Sequence, residues 1–182
     1  SLAYEPILAE AEKKSGQQGA WEPERLKRWQ AVHNRIRAAR REAELGRWMI
    51  RSTDDGVTWN ARIDVPVNSP HGPVQLSDGR LLYAGKELWK EKIRIGVSES
   101  TDDGRTWSWL ATIPTRPGDD HKDYHELHGV EAAAGRLIVH IRNHNSANSG
   151  ETLQSESTDG GKTWSTPHSI VAASIRPWTS TL

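Results

Sequence analysis

The sequence of 182 residues contains no cysteine and no phenylalanine, and it has a single methionine. Without cysteine the chain can form neither disulfide bonds nor thiolate metal sites. Cysteine usage therefore does not indicate whether the protein resides in an oxidising or a reducing compartment. No run of about 18 apolar residues occurs, as a membrane-spanning helix would need. Acidic and basic residues balance at 24 each, so the overall charge predicts no nucleic-acid, membrane or acidic partner.

The first residues also lack the features of a signal peptide, since residues 1–5 have neither a basic start nor a long apolar core. We therefore expect the chain as given to be soluble and to carry no targeting signal. The compartment of the parent protein stays open, with secreted and periplasmic locations among the alternatives. Tryptophan, in contrast, is abundant, and its nine residues supply most of the aromatic surface.

An eight-residue pattern, S-x-D-x-G-x-T-W, occurs three times, at residues 52–59, 100–107 and 157–164. Each copy follows a short stretch typical of a β-strand and precedes another that opens at its Thr-Trp pair. Aspartate can accept hydrogen bonds from backbone N–H groups of its own turn, glycine supplies a positive φ, and tryptophan supplies apolar surface to bury. The pattern therefore predicts three hairpin turns.

A second repeat lies between these turns, because Gly79-Arg80-Leu81-Leu82 matches Gly135-Arg136-Leu137-Ile138. Together the two repeats define a unit of four strands, which is typical of a β-propeller blade. Complete units are predicted at about 67–113 and 124–170, and the last two strands of another unit surround the first turn. We interpret Leu2-Ala3-Tyr4 as a remnant of that incomplete unit's second strand.

Residues 1–46 differ from the rest, being rich in Ala, Glu, Lys and Arg. Pro23 suits the first turn of a helix and Gly46 suits its C′ position. Apolar and aromatic residues recur on one helical face at three- and four-residue spacing, namely Leu26, Trp29, His33, Ile36 and Ala43. The opposite face is basic, which is typical of a solvated surface, with an anion- or nucleic-acid-binding strip as the alternative. We predict a helical insertion or cap over 1–46 and a partial propeller over 47–182.

The eight-residue turn resembles the Asp-box, or BNR repeat, of sialidase-like β-propellers, over roughly residues 47–170. The resemblance implies an all-β fold, a partial six-bladed sialidase-type β-propeller of about two and a half four-stranded blades, with the N-terminal helical insertion. An incomplete ring exposes strand edges. We therefore expect the isolated chain to aggregate, or to need the missing blades or another chain to close the propeller.

The hairpin centred on Gly135 predicts which residues face one another. If paired residue numbers sum to about 268, Glu126 lies opposite Arg142 and His128 lies opposite His140. Strand direction then places the acid and the base at the sheet end opposite to the Asp-box turns. The alternative interpretation is a surface salt bridge, which stabilises a protein little.

Residues 125–142 resemble the sialidase stretch N-E-P-Q-V-V-E-L-x-D-G-x-L followed by a strand that ends in Arg. On that resemblance Glu126 takes the place of the glutamate that assists the tyrosine nucleophile, and Arg142 that of one of three arginines that bind the sialic-acid carboxylate. A guanidinium binds a carboxylate through two hydrogen bonds, and a carboxylate beside a phenol can act as its base. We predict catalytic roles for this pair, and substrate binding by His71, Lys86, Asp120, His125, His128 and Asn143.

The sequence also departs from the family. Residues 5–46 contain no Asp to serve as the general acid, and no tyrosine lies in a matching context among Tyr4, Tyr83 and Tyr124. A substitute acid is available in the connection before residue 124, at Asp119, Asp120 or Asp123, although a solvated loop is the simpler interpretation. The stretch His125-Glu126-Leu127-His128 lacks the spacing of a helical H-E-x-x-H zinc site, so we predict no metal and no cofactor.

These observations predict a parent protein that is a sialidase-like glycoside hydrolase of exo-α-sialidase type, releasing a terminal sialic or related acidic sugar. This chain alone is expected to be inactive. The alternative is a noncatalytic glycan- or protein-binding Asp-box propeller, because fold does not imply function. A third hypothesis, an interaction module built on the basic helix, would show salt-dependent binding to polyanions.

Overall fold

The computed structural model describes residues 4–88, 90–148 and 150–170. The chain divides into two compact units, residues 1–46 and residues 47–182. The described part of the first unit is helical, and that of the second is built from antiparallel sheets. None of the helices within these described ranges is long and apolar enough to cross a membrane.

The first unit, as described from residue 4 onward, contains three helices: α1 (Tyr4–Lys13), α2 (Pro23–Asn34) and α3 (Ala38–Ala43). Pro23 occupies the first turn of α2, as predicted, because its missing N–H would have no helical partner there. Tyr4 opens α1, so the prediction that it belongs to a strand was wrong. Leu2 and Ala3, the rest of that predicted remnant, lie outside the described residues.

The helical face predicted to continue from Pro23 to Gly46 is interrupted, because α2 ends before Ile36. The guanidinium of Arg41 donates to the carbonyl oxygen of His33 at 2.9 Å and also to that of Ile36. These bonds satisfy carbonyl groups that a helix end leaves without partners. The prediction of one continuous helix was therefore wrong, and Gly46 lies beyond the C′ position of α3.

In the described part of the second unit, ten strands form three antiparallel sheets. Blade 1 contains β1 (Trp48–Met49) and β2 (Ile63–Asp64). Blade 2 contains β3 (Val74–Gln75), β4 (Leu81–Lys86), β5 (Ile95–Ser100) and β6 (Ser108–Thr112). Blade 3 contains β7 (Tyr124–Ala133), β8 (Arg136–Asn143), β9 (Thr152–Ser157) and β10 (His168–Ser169). In both four-stranded blades each strand pairs with the next along the chain, which confirms the predicted four-strand units.

The second Asp-box shows why this pattern forms a hairpin turn. The Asp102 carboxylate accepts hydrogen bonds from Thr106 N at 2.9 Å, from Thr106 Oγ1 at 2.6 Å and from Ser100 Oγ at 2.8 Å. Trp107 Nε1 donates to the carbonyl of Gly104, whose φ is 79°. The first and third boxes repeat these contacts, so the hairpin prediction is confirmed.

The main core lies between blades 2 and 3. On β8 the buried residues alternate with exposed ones, as at Val139 and Ile141 against His140, because successive side chains of a strand point to opposite faces. These side chains share one cluster with Leu82 of β4 and Leu153 of β9. Along β4, residues 82–86 are all buried, since blade 2 has a neighbour on each of its faces.

Candidate active site

Three connections leave blades 2 and 3 at the sheet end opposite to the Asp-box turns: 87–94 between β4 and β5, 113–123 between β6 and β7, and 144–151 between β8 and β9. Consecutive antiparallel strands reverse direction, so these three connections share one end of the sheets. We call this end the loop face. The residues predicted to act on substrate lie at or near the strand ends that bound it.

Glu126 and Arg142 meet at the loop face, although not in the predicted register. His128 lies opposite His140, as predicted, but His125 rather than Glu126 lies opposite Arg142. Glu126 and Leu127 lie together against Ile141 in a β-bulge, and a bulge shifts the pairing beyond it by one residue. The prediction that Glu126 pairs directly with Arg142 across the strands was therefore wrong. Arg142 Nη1 nevertheless donates to Glu126 Oε1 at 2.8 Å, because the bulge turns the carboxylate toward the guanidinium.

Both side chains of this ion pair are accessible, with 55% of Arg142 and 46% of Glu126 exposed. The backbone of Glu126 has a φ of 48°, a conformation that costs a residue with a side chain roughly 1–2 kcal/mol. A strained residue that exposes a carboxylate beside a guanidinium is a candidate functional residue. The pair offers one group that can bind a carboxylate and one that can accept a proton.

Lys86 and His125 form a second contact beside this pair. Lys86 ends β4 and is only 6% exposed, and its Nζ donates to the carbonyl of Lys122 at 2.7 Å. The same Nζ lies 3.3 Å from Nδ1 of His125. Burial lowers the pKa of Lys86, and nearby Asp123 partly offsets this effect. Burial and, second, the charge of Lys86 lower the pKa of His125.

The other predicted substrate-binding residues lie in different surroundings. His71 and His128 contact each other edge to face, with ring centroids 5.0 Å apart. Asp120 is exposed and caps the short helix His121–Asp123 by accepting from Lys122 N at 2.9 Å. Asn143 is fully buried, and its Oδ1 accepts from the backbone and the side chain of Asn145. Asn143 therefore stabilises the connection 144–151 from inside and contributes no side-chain surface there.

A partly buried polar network that the sequence interpretation missed braces two of the connections. Arg116 donates to Asp119 and to Glu151, each at 2.9 Å, and Tyr124 donates to Asp119 at 2.6 Å. The interpretation of Asp119 as part of a solvated loop was wrong, because its side chain is only 6% exposed. Only the Arg-x-x-Asp spacing hints at this network in the sequence, since Arg116 and Glu151 are 35 residues apart.

The two tyrosines whose side chains the structure describes are not available as nucleophiles. Tyr124 is fully buried, and burial together with its bond to Asp119 raises its pKa to about 12. Tyr83 donates to the carbonyl of Ser69 at 2.7 Å and accepts from its backbone N–H at 2.9 Å. Burial also raises the pKa of Tyr83. Both hydroxyl groups serve structural hydrogen bonds.

An open cleft of 730 Å³ lies between the connections 87–94 and 113–123. It is lined by residues of both charges, among them Glu91, Lys92 and Asp120. Lys122, whose carbonyl holds Lys86, also lines it, so the cleft adjoins the site described above. No group of three acidic, histidine or cysteine side chains is placed to hold a metal ion in the described parts of the chain.

Antiparallel blades of four strands in sequential order, each with an Asp-box hairpin, define the protein as a partial sialidase-type β-propeller. The family model of the BNR repeat-like domain matches residues 24–178. The chain therefore belongs to the BNR repeat-like domain family.

Solved structures with the same fold include a protein of unknown function and several glycoside hydrolases. A protein of unknown function from Dyadobacter fermentans is 19% identical, with a TM-score of 0.58 over 68% of this chain and 38% of its own. The NanB sialidase of Streptococcus pneumoniae is 22% identical, with a TM-score of 0.53 over 69% of this chain and 19% of its own. An α-L-arabinanase of Penicillium chrysogenum is 23% identical, with a TM-score of 0.51 over 70% of this chain and 42% of its own.

This chain thus spans less than half the length of each of these three proteins. A search of curated proteins finds no relative that matches it. At these identities the likeness shows the fold, which is one that glycoside hydrolases share.

Proposed function

We propose that this chain is part of a glycoside hydrolase that releases a terminal sialic acid or a related acidic sugar. The observation that carries the proposal is the accessible contact of 2.8 Å between Arg142 and Glu126 on the loop face. A sugar carboxylate can take the place of Glu126 on the guanidinium and form a pair of charge-assisted hydrogen bonds. Glu126, freed from Arg142, then becomes a base beside the bound sugar.

The tyrosine nucleophile and the further arginines of the sialidase scheme are proposed to come from parts of the protein outside this chain. Tyr83 and Tyr124 are buried and already hydrogen-bonded, which supports this division of roles. It also supports the expectation that the chain alone turns over no sialoside. A fluorogenic sialoside tests that expectation, and measurable hydrolysis by the 182-residue chain would contradict it.

A second candidate is a site for a neutral sugar. An α-L-arabinanase and an α-L-arabinofuranosidase share the fold at TM-scores of 0.51 and 0.52, and their structures hold arabinobiose and an iminosugar inhibitor, respectively. A neutral sugar brings no carboxylate to compete for Arg142, so it would leave the ion pair with Glu126 intact. The two candidates therefore differ in their dependence on Arg142. A third candidate function is that of a noncatalytic propeller that binds a glycan or a protein.

Calorimetric titration of the 182-residue chain with sialic acid, its 2,3-dehydro analogue and arabinobiose separates these candidates. We expect Arg142→Ala to weaken binding of both acidic sugars by about tenfold or more, because a hydrogen bond to a charged group contributes about 1.5–3 kcal/mol. Arg136→Ala is the matched control, since Arg136 begins the same strand at the other end and pairs with Glu156. Binding of arabinobiose alone, unchanged by Arg142→Ala, would favour the neutral-sugar site.

A further inference from the structure

We infer that Lys86 is a positioning residue that fixes the His125 ring with its proton on Nε2, so that His125 donates a hydrogen bond to an oxygen of the bound sugar. The ligand chemistry that this site would take is a hydrogen-bond acceptor, either a hydroxyl or a carboxylate oxygen. The choice of a sugar as ligand rests on the proposed function. The arrangement of Lys86 and His125 does not.

The assignment of the proton follows from the chemistry of the two side chains. A lysine ammonium has three donors and no acceptor. Because Lys86 Nζ lies 3.3 Å from His125 Nδ1, Nδ1 must accept the hydrogen bond. A neutral imidazole with an unprotonated Nδ1 carries its proton on Nε2. His125 is therefore a donor at Nε2 and cannot act there as a base.

Lys86 is held firmly enough to impose this state. Its backbone N–H and C=O both pair with Asn68, each at 2.9 Å, and its side chain is almost wholly buried. The bond from Nζ to the carbonyl of Lys122 fixes the end of the side chain as well. Asn68 and Lys122 thus determine where the ammonium group lies, and β7 brings His125 to it.

Burial and, second, the charged groups around His125 keep the ring neutral. Lys86 of β4, Arg142 of β8 and His144 of the connection 144–151 all oppose its protonation, while Asp123 favours it. The rings of His125 and His144 lie with centroids 4.7 Å apart, so two imidazolium ions there would repel each other. Burial contributes most to this preference for the neutral form, because it disfavours charge.

Nitrogen-15 NMR of histidine-labelled protein tests the inference without any sugar. At neutral pH we expect His125 to show a protonated Nε2 and an unprotonated Nδ1. In Lys86→Met the pKa of His125 should rise toward the ordinary value of about 6.5, because the positive charge at Nδ1 is gone. Lys122→Met is the matched control, since its side chain is 61% exposed and only its backbone carbonyl holds Lys86.

A proton on Nδ1 in the wild-type protein would overturn the inference, and this measurement does not depend on the folding of any variant. An unchanged pKa of His125 in Lys86→Met would overturn it too. For the donor role, His125→Phe should weaken binding of sialic acid or arabinobiose about fivefold, the effect of one hydrogen bond of about 1 kcal/mol. Unchanged affinity would show that His125 donates nothing to the sugar. If neither sugar binds while Nδ1 stays unprotonated, the proposed function fails and the positioning by Lys86 stands.

Discussion

At the scale of the residue, Glu126 has a backbone conformation that the Asp-box turns do not explain. Three residues other than glycine have positive φ in the described chain: Asp55, Asp103 and Glu126. The two aspartates occupy one position of the Asp-box, where the third box has Gly160, also with positive φ. Aspartate tolerates this region because its short side chain can bond locally. Glutamate in a strand has no such local hydrogen bond. The interaction that accompanies its positive φ is the contact with Arg142.

This difference leads to a prediction for Glu126→Gly against Glu126→Ala. Both variants remove the carboxylate, but only glycine relieves the positive φ. We expect the glycine variant to be more stable than the alanine variant by about 1 kcal/mol, and both to lose the ion pair with Arg142. Urea denaturation followed by tryptophan fluorescence measures the difference. Equal stability would mean that the backbone of Glu126 stores no strain.

At the scale of the element, the packing of blade 2 depends on a glycine where two strands approach closely. A Cβ atom at Gly96 would overlap the carbonyl oxygen of Ala111 and would lie 2.6 Å from the Trp109 ring. The pairing of β5 with β6 shifts register next to this position, between Val97 and Ser98. The glycine therefore lets the Trp109 side chain lie across β5.

Gly96→Ala should destabilise the protein by about 1–3 kcal/mol or more, the cost of overpacking a core. Gly129→Ala is the matched control in β7, because its Cβ would lie 3.6 Å from that of Ala84, an ordinary contact. We expect this control to change the free energy of unfolding by less than about 1 kcal/mol. Urea midpoints of both variants test the prediction, and similar losses at the two glycines would contradict it.

At the scale of the whole molecule, polar contacts join the blades at the Asp-box end. Arg80 of blade 2 donates to the carbonyl of Gly160 in the third Asp-box at 3.2 Å. Glu131 of blade 3 accepts from the backbone and the hydroxyl of Ser77, at 2.6 and 2.9 Å. An ion pair joins Arg51, directly before the first box, to Asp103 of the second. The ionised carboxylates at this end thus stabilise both the turns and the contacts between neighbouring blades.

We therefore predict that this unit loses stability in acid. Hydrogen bonds from Thr58 and Thr106 lower the pKa of Asp54 and of Asp102 to about 2, and those from Thr163 lower the pKa of Asp159 further. Because an unfolded aspartate has a pKa of about 3.9, this stabilisation is complete above about pH 5. It is lost as the pH falls from about 4 through 2.

Urea midpoints at pH 7 and pH 3 measure this loss. Asp102→Asn should be less stable than the wild type at pH 7 and should lose less on acidification, because one of the titrating groups is gone. Asp64→Asn, at an exposed position of β2, should behave as the wild type does. An equal loss in Asp102→Asn and the wild type would show that the Asp-box carboxylates do not cause the acid sensitivity.

The sequence by itself determined the Asp-box turns, the four-strand units and the pairing of His128 with His140. These features depend on hydrogen bonds within four residues, as between Ser100, Asp102 and Thr106, or on a two-residue turn that aligns neighbouring strands. Such contacts form wherever the local pattern is present. The expectation that an isolated partial ring aggregates stays a prediction.

Only the tertiary structure decided the bulge at Glu126, the contact of Lys86 with His125 and the burial of Tyr124. Lys86 and His125 are 39 residues apart and belong to different blades, so no local pattern relates them. Whether Asp119 is solvated or bonded to Arg116 likewise depends on how the connections pack over the sheet ends. Local sequence determines the turns because their hydrogen bonds lie within the turn itself, whereas the site exists only where two blades pack against each other.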